Sequence, residues 1–264
     1  MNIFLFEIKS SLKSTLIWIL MLGIVAFGFI QVFPAFYSGS AELIKMLENY
    51  PKELLEGLDF DPNQFFTILG FYSFIAVYVQ VMVAFQGFIL GLQVIGRETK
   101  AHTLDFLITK PVRRSSILTM KIAAIFTILT VTNLCLFAFT LLGISITGEA
   151  FSMAGLILVS LVMFLCSIIF ASIGILLGAT LRKLRSIAPY ALGIVTGFFI
   201  LNMMKGIFDD PWIQWLSPFQ FFDKFEVIST QSLDPIFLAW SCFLILAMIG
   251  VSYLIYTKKD IHAL

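Results

Sequence analysis

Charged residues are scarce in this chain and are missing altogether from six long stretches of it. Asp, Glu, Lys and Arg make up 12% of the 264 residues, whereas hydrophobic residues make up 59%. The mean hydropathy is +0.99. A soluble domain of this size has no interior large enough to bury so much apolar surface. The composition therefore excludes an ordinary soluble globular protein and predicts a chain that lies in a lipid bilayer.

The sequence also lacks the motifs of several enzyme classes. It has no G-x-x-x-x-G-K-[ST] run to hold nucleotide phosphates, no H-E-x-x-H zinc motif and no G-x-S-x-G nucleophile elbow. Its two histidines, His102 and His262, lie outside the apolar stretches, and Cys135, Cys166 and Cys242 lie inside them as small apolar fillers. We therefore predict that the chain is not an enzyme, has no metal site and binds no cofactor directly.

Six apolar stretches have about the length of a membrane-spanning helix. A helix needs roughly 20 apolar residues to cross about 30 Å of hydrocarbon, and helices are favoured because backbone polar groups must pair internally in lipid. The predicted fold is an all-α integral membrane protein with six transmembrane helices, forming a single domain over residues 1–264. The predicted spans are 14–33, 65–94, 122–146, 154–181, 187–204 and 235–256.

Positive charge predicts which side holds the termini, because loops rich in Lys and Arg stay in the cytoplasm. An even number of spans puts both termini on one side, together with the loops after the second and fourth spans. Both termini are therefore predicted to be cytoplasmic, and the net charge of +1 gives no indication of nucleic-acid binding. Of the 17 Lys and Arg residues, 13 lie on that side, namely Lys9, Lys13, Arg97, Lys100, Lys110, Arg113, Arg114, Lys121, Arg182, Lys183, Arg185, Lys258 and Lys259.

Two segments beside the spans predict additional helices. Residues 1–12 mix apolar side chains with Glu7 and Lys9, which is typical of a short interfacial helix; a frayed terminus is the open alternative. Residues 206–234 are rich in Trp and Phe beside Asp. Two interpretations of that segment stay open, a re-entrant helix covered by protein or water and an interfacial aromatic belt.

Three pairs of glycines stand four residues apart within the predicted spans. Small residues at this spacing let two helix backbones approach closely. The pattern predicts tight helix packing and leaves open whether the contact is within one subunit or between two. The pairs are Gly87 with Gly91, Gly174 with Gly178, and Gly193 with Gly197.

The loop between the second and third spans is the only sizeable one on the predicted cytoplasmic side. Leu104, Leu107 and Ile108 form one apolar stripe at helical spacing, and Pro111 should end that helix. Such an amphipathic helix either docks into a groove on a cytoplasmic partner or rests its stripe on lipid.

The same loop resembles the signature of ABC type-2 exporter permeases. That family has a recurring pattern between its second and third spans: an acidic residue, a Gly-Thr-Leu-Glu type run, a Pro-Val-Ser-Arg type turn and a lysine. In the family this stretch is the coupling helix that meets the ATPase subunit. Two residues depart from the pattern. His102 stands where the family usually has Gly, and Arg113 stands where it often has Ser. The Trp-Leu-Ser-Pro-Phe run at 215–219 is similar to a segment before the family's last span. The matching loop residues are Glu98, Thr103, Leu104, Asp105, Phe106, Leu107, Lys110, Pro111, Val112 and Arg114.

The resemblance implies a non-catalytic permease subunit in a prokaryotic plasma membrane. ATP and Mg would bind to a separate ATPase subunit on the cytoplasmic side, and a second permease, identical or paralogous, would complete the path. The cargo would be amphipathic, such as an antibiotic, peptide or lipid-like molecule, or sodium. A secondary transporter and a membrane scaffold or sensor without flux are the alternatives. The residues expected at an outer gate or interface are Trp212, Trp215, Pro218 and Phe219.

Overall fold

The computed structural model describes residues 3–38, 67–101, 113–181, 186–204 and 212–258. All the regular secondary structure of these residues is helical, so the predicted all-α class is confirmed for the described part of the chain. The helices are α1 (Ile3–Ile30), α2 (Phe33–Ser38), α3 (Ile68–Ala101), α4 (Arg114–Thr147), α5 (Met153–Thr180), α6 (Ala188–Met203), α7 (Trp212–Leu216), α8 (Lys224–Thr230) and α9 (Pro235–Lys258).

Five of these helices are long and apolar enough to cross a bilayer. The candidate spans within them are Ile3–Ala35, which runs from α1 into α2, Ile68–Gly96, Arg114–Thr147, Met153–Thr180 and Pro235–Lys258. The shorter α6 is also apolar but has only 16 residues. At 1.5 Å per residue it is about 24 Å long, less than the roughly 30 Å of a hydrocarbon core. A multi-pass membrane protein is therefore confirmed, and a sixth crossing stays a prediction.

The outer faces of the first and last helices are apolar. Ile17 and Ile24 of α1 are 66% and 65% exposed, and Leu246 of α9 is 71% exposed. Large contiguous apolar surface is rare on soluble proteins because water disfavours it. Lipid does not, so these apolar faces suit contact with the hydrocarbon core of a bilayer, whereas the exposed Lys9 and Lys13 lie near the start of α1.

The centre of the bundle is formed by α3 and α5. Within their most apolar windows, 72% of α3 and 61% of α5 is buried, compared with 11% for α9. α3 packs mainly on α5, and α1 packs mainly on α4. The bundle is therefore organised as two closely packed helix pairs, α3 with α5 and α1 with α4.

Side-chain contacts show which helix ends lie together. The end at which α3 stops and α4 starts is here called the 101–114 end. α1 begins there, because Glu7 contacts Lys121 near the start of α4. α9 ends there, because the Tyr253 hydroxyl lies 2.7 Å from the Thr119 hydroxyl.

The opposite end of the bundle has its own contacts. The side chain of Gln31, the residue just after α1, donates to the Gly143 carbonyl of α4 at 3.0 Å. The Gln231 side chain, just after α8, donates to the Ser152 hydroxyl at the start of α5, at 3.1 Å. α1 and α4 are thus joined by polar contacts at both of their ends.

The N-terminal helix differs from the sequence prediction. Instead of a separate interfacial helix over residues 1–12, α1 is continuous from Ile3 to Ile30. No proline interrupts it, and the Ser10 and Thr15 hydroxyls bond back to the carbonyls of Glu7 and Ser11 at 3.0 and 2.9 Å. Glu7 is also buried and accepts a hydrogen bond from Lys121, so the helix does not need to bend to bring this charge to water.

Candidate functional site

The segment expected to meet an ATPase lies between α3 and α4. Most of the residues predicted to couple lie outside the described residues, namely Thr103, Leu104, Asp105, Phe106, Leu107, Lys110 and Pro111. Glu98 lies on the last turn of α3 and Arg114 is the half-buried first residue of α4. Both helices extend past the spans predicted from the sequence, toward this segment. It is therefore attached at each side to a long helix of the bundle.

Four of the predicted packing glycines form one contact between α3 and α5. A Cβ atom built on Gly87 would overlap the Ser167 carbonyl oxygen, and one on Gly91 would overlap the Ala171 carbonyl oxygen. From the other side, a Cβ on Gly174 would overlap the Phe88 carbonyl oxygen. The two backbones therefore touch, and only glycine fits at these positions.

The same contact continues to the 101–114 end. A Cβ built on Gly178 would lie 2.8 Å from the Cβ of Ile95. Van der Waals packing of this closeness is the main source of helix association in lipid, where apolar side chains gain little from leaving their surroundings. We call the contact made by Gly87, Gly91, Gly174 and Gly178 the glycine seam.

The third glycine pair has a different environment. A Cβ built on Gly193 or Gly197 of α6 would have no atom of the described part of the chain within 4 Å. Only Ala191, Val195 and Asn202 of α6 are buried. Among the described residues the pair therefore packs against no other helix, unlike the glycine seam.

The described residues contain a buried ion pair that the sequence analysis did not predict. Lys121 Nζ of α4 donates to Glu7 Oε1 of α1 at 2.8 Å and to the Val94 carbonyl of α3 at 2.8 Å. Lys121 and Glu7 are only 1% and 3% exposed. One ammonium group thus joins three helices at the 101–114 end.

The sequence carried a weak signal for this pair. Glu7 and Lys121 are charged residues set among apolar neighbours beside the first and third spans. Local pattern assigned Glu7 to an interfacial helix and Lys121 to the positive inner side. A pairing between residues 114 positions apart depends on how α1 packs on α4, which local spacing does not encode.

Amides and hydroxyls line the buried surfaces between α3, α4 and α5. The Gln86 side chain donates to the Thr132 hydroxyl at 2.9 Å, and the Asn133 amide lies 3.4 Å from the Ser167 hydroxyl. Both side-chain polar atoms of Gln80 are buried, and neither has an oxygen or nitrogen hydrogen-bond partner within the described part of the chain. Away from the Glu7–Lys121 pair, the described surfaces between these three helices are therefore apolar with a few uncharged polar groups.

The aromatic segment before α9 is folded against the bundle. Phe219 is 1% exposed and packs on Phe170 of α5, with ring centroids 5.1 Å apart. Trp215 packs on Phe237 and Trp240 of α9, with centroids 5.1 and 5.6 Å away. Pro218 is buried, whereas Trp212 begins α7 and its side chain lies outside the described residues.

Hydrogen bonds fix this segment to the end of α6. The Ser217 hydroxyl donates to the Phe198 carbonyl at 3.0 Å, and the Gln220 amide donates to the Leu201 carbonyl at 2.9 Å. The bond to Leu201 satisfies one of the last four carbonyls of α6, which a helix end leaves without internal partners. The bond to Phe198 is an additional one, to a carbonyl about one turn earlier. α6 therefore runs from the 101–114 end, where α5 stops, to the aromatic segment at the opposite end.

Two recesses are found on the described surface. A groove of about 380 Å³ between α4 and α5 is lined almost wholly by apolar atoms, with Asn133 and Ser160 at its wall. A smaller recess of about 210 Å³ lies beside α8 and contains Asp223, Glu226 and Asp234. The Asp223 carboxylate caps α8 by accepting from the backbone N–H of Phe225 at 2.9 Å, so part of its function is structural.

The chain was compared with known protein families and with curated proteins. The family model described as "ABC-2 family transporter protein" matches residues 1–261, almost the whole chain. The search of curated proteins found no match.

Proposed function

The chain belongs to the ABC-2 family of transporter proteins, and on that premise we propose that it is the membrane-spanning permease subunit of an ATP-driven exporter. The observation that carries the proposal is the family match over an all-helical membrane bundle. The chain has no P-loop of its own. ATP and Mg therefore bind to a separate ATPase chain.

The ATPase docks on the segment between α3 and α4. The residues proposed to meet it are Glu98, Thr103, Leu104, Asp105, Phe106, Leu107, Lys110, Pro111 and Arg114. An apolar stripe with charges on both sides suits a groove on a protein partner. Support comes from the two long helices that flank the segment, because a push on it acts directly on both.

The proposed movement is a shift between the two helix pairs of the bundle. The glycine seam ties α3 to α5, and polar contacts at both ends tie α1 to α4. The docking segment connects α3 to α4 and hence connects one pair to the other. Closure of the ATPase would tilt one pair against the other, a rigid-body change of the hinge or shear type.

Several finer features belong to the same proposal. The chain crosses a prokaryotic plasma membrane six times, counting α6, with both termini in the cytoplasm. A second permease subunit, identical or paralogous, completes the path. The open glycine face of α6 supports such a partner. Trp212, Trp215, Pro218 and Phe219 form the outer gate, supported by the packing of Phe219 on α5.

The proposed cargo is an amphipathic molecule, such as an antibiotic, a peptide or a lipid-like compound, or else sodium. The uncharged polar groups between α3, α4 and α5 support a cargo with both apolar and polar parts. The apolar groove between α4 and α5 offers such a molecule an entrance from the lipid.

The first experiment is purification of the tagged chain from its native membranes in mild detergent, followed by mass spectrometry. A stoichiometric P-loop ATPase is expected, with vanadate-sensitive ATP hydrolysis. Leu107→Asp places a charge on the docking stripe, so it should release the ATPase while the chain stays in the membrane. Ser115→Asp is the matched control, because Ser115 is exposed on the first turn of α4 and outside the stripe.

Two results would contradict the proposal. One is a wild-type chain that purifies alone while crosslinking from position 107 in intact membranes captures no ATPase. The other is an ATPase that binds the Leu107→Asp variant as well as the wild type. The first result would favour a secondary transporter or a scaffold, and the second would place the docking surface elsewhere.

A further inference from the structure

The Lys121 ammonium joins α3 and α4 at points equally far along each helix from the docking segment, which is the stretch between α3 and α4. Val94 stands seven residues before the end of α3 at Ala101, and Lys121 stands seven residues after the start of α4 at Arg114. At 1.5 Å per residue, each is about 10 Å along its helix from the segment. The Lys121 ammonium, which contacts both Glu7 and the Val94 carbonyl, therefore joins the two helices close to where they receive a push.

The buried position of the pair makes this connection hard to break. A charge in a low-dielectric interior is strongly destabilised when it loses its partner, because no water replaces it. Glu7 and Lys121 are both almost fully buried. Their contact should therefore persist while the helices tilt, so that the beginning of α1 follows α4.

The other polar contact between α1 and α4 is of a different kind. At the opposite end the Gln31 amide donates to the Gly143 carbonyl at 3.0 Å, a neutral hydrogen bond. It is far from the docking segment and does not involve α3. Only at the 101–114 end does one side chain join α1, α3 and α4 among the described residues.

We propose that Glu7 and Lys121 are positioning residues for coupling, and that their contact with the Val94 carbonyl passes movement of the docking segment to α1. This inference rests on the proposed function, because it needs an ATPase that moves the segment. It predicts that α1 follows the ATPase cycle only when the pair is intact.

The experiment measures distances between spin labels in the complex of permease and ATPase in lipid nanodiscs. One label pair joins Leu12→Cys of α1 to Thr180→Cys of α5, and a second joins Ser115→Cys of α4 to Thr180→Cys. All three positions are exposed. The background has the native cysteines replaced by alanine. Each distance is compared without nucleotide and with ATP and vanadate.

The test variant is Glu7→Leu with Lys121→Met. Replacing both residues by apolar ones removes both charges of the pair together, so the bundle should still fold. The control is Gln31→Leu, which removes a hydrogen bond between the same two helices at the opposite end. Wild type and control should show a nucleotide-dependent shift in both distances. In the test variant, the nucleotide-dependent change of the distance between positions 115 and 180 should be kept. The change of the distance between positions 12 and 180 should fall by about threefold or more.

Each of the other outcomes has a definite meaning. If the test variant keeps both shifts, the pair does not transmit movement and the inference is wrong, while the proposed function stands. If it loses both, the pair acts on the whole bundle and the specific role for α1 is wrong. If the wild-type chain binds an ATPase but neither distance responds to nucleotide, the proposed function fails and the inference with it.

Discussion

Replacing Gly91 with alanine should push α3 and α5 apart. The added Cβ would overlap the Ala171 carbonyl oxygen and lie 3.0 Å from the backbone nitrogen of Ile175. Both are backbone atoms of α5, which have no rotamer to change. One helix must therefore move until these contacts relax toward the 3.4 Å at which ordinary contact begins.

The size of the effect follows from a comparison with Gly193→Ala. Extra methyl groups in a packed interior cost about 1–3 kcal/mol, whereas glycine to alanine in a helix contributes up to about 1 kcal/mol in favour of folding. Gly193 has nothing within 4 Å of its Cβ position. Both variants change helix propensity equally, so the difference between them is about 1–3 kcal/mol of packing. At about 2–4 °C per kcal/mol, Gly91→Ala should melt about 2–12 °C below Gly193→Ala.

The chain offers its own probe for this measurement. Cys166 is buried on α5, so a thiol-reactive fluorescent dye reaches it only on unfolding. Cys135 and Cys242 are half-buried and exposed, and they are replaced by alanine beforehand. If the two glycine variants melt within about 1 °C of each other, the backbones at Gly91 are not in contact and the reasoning is refuted.

Three further predictions concern polar groups and topology. Lys121→Met alone should destabilise the chain by about 3–5 kcal/mol because it removes the ammonium group from beside the buried Glu7 carboxylate, whereas adding Glu7→Leu should restore most of the loss. Equal melting temperatures for the single and double variants would contradict this. Gln86→Leu should change stability by less than about 1 kcal/mol, because the bond it removes to Thr132 is a single neutral one in the membrane; a larger loss in the same thermal assay would mean that the amide has further partners. Ser115→Cys should react with a membrane-impermeant maleimide only from the cytoplasmic side; reaction in intact cells would reverse the predicted orientation.

The sequence located the five long membrane helices, although the start of α1, the end of α3 and the start of α4 each differ from the predicted bounds by several residues. The fourth and sixth predicted spans, 154–181 and 235–256, match α5 and α9 to within two residues. Lipid imposes a long apolar run on each crossing helix, so composition alone locates it. The helices next to the docking segment were predicted too short, because α3 and α4 continue into sequence that includes charged residues.

The glycine pairs show how far sequence pattern reaches. The spacing predicted close packing at all three pairs. The structure places two of them against each other in the glycine seam, whereas no described residue packs on Gly193 or Gly197. The spacing makes a surface that permits close approach, but the neighbour that uses it is chosen by the packing of the whole bundle.

The sequence alone determined that this chain is a helical membrane protein, and it marked the segment that resembles a coupling helix. Both properties depend on local composition and on the spacing of residues along a helix, so they can be inferred from neighbouring residues alone. Only the tertiary structure decided which helices pair through glycine, and that Glu7 of the first helix reaches Lys121 and the Val94 carbonyl. Those contacts join residues far apart in the chain, and their energy depends on burial that exists only once the helices have packed.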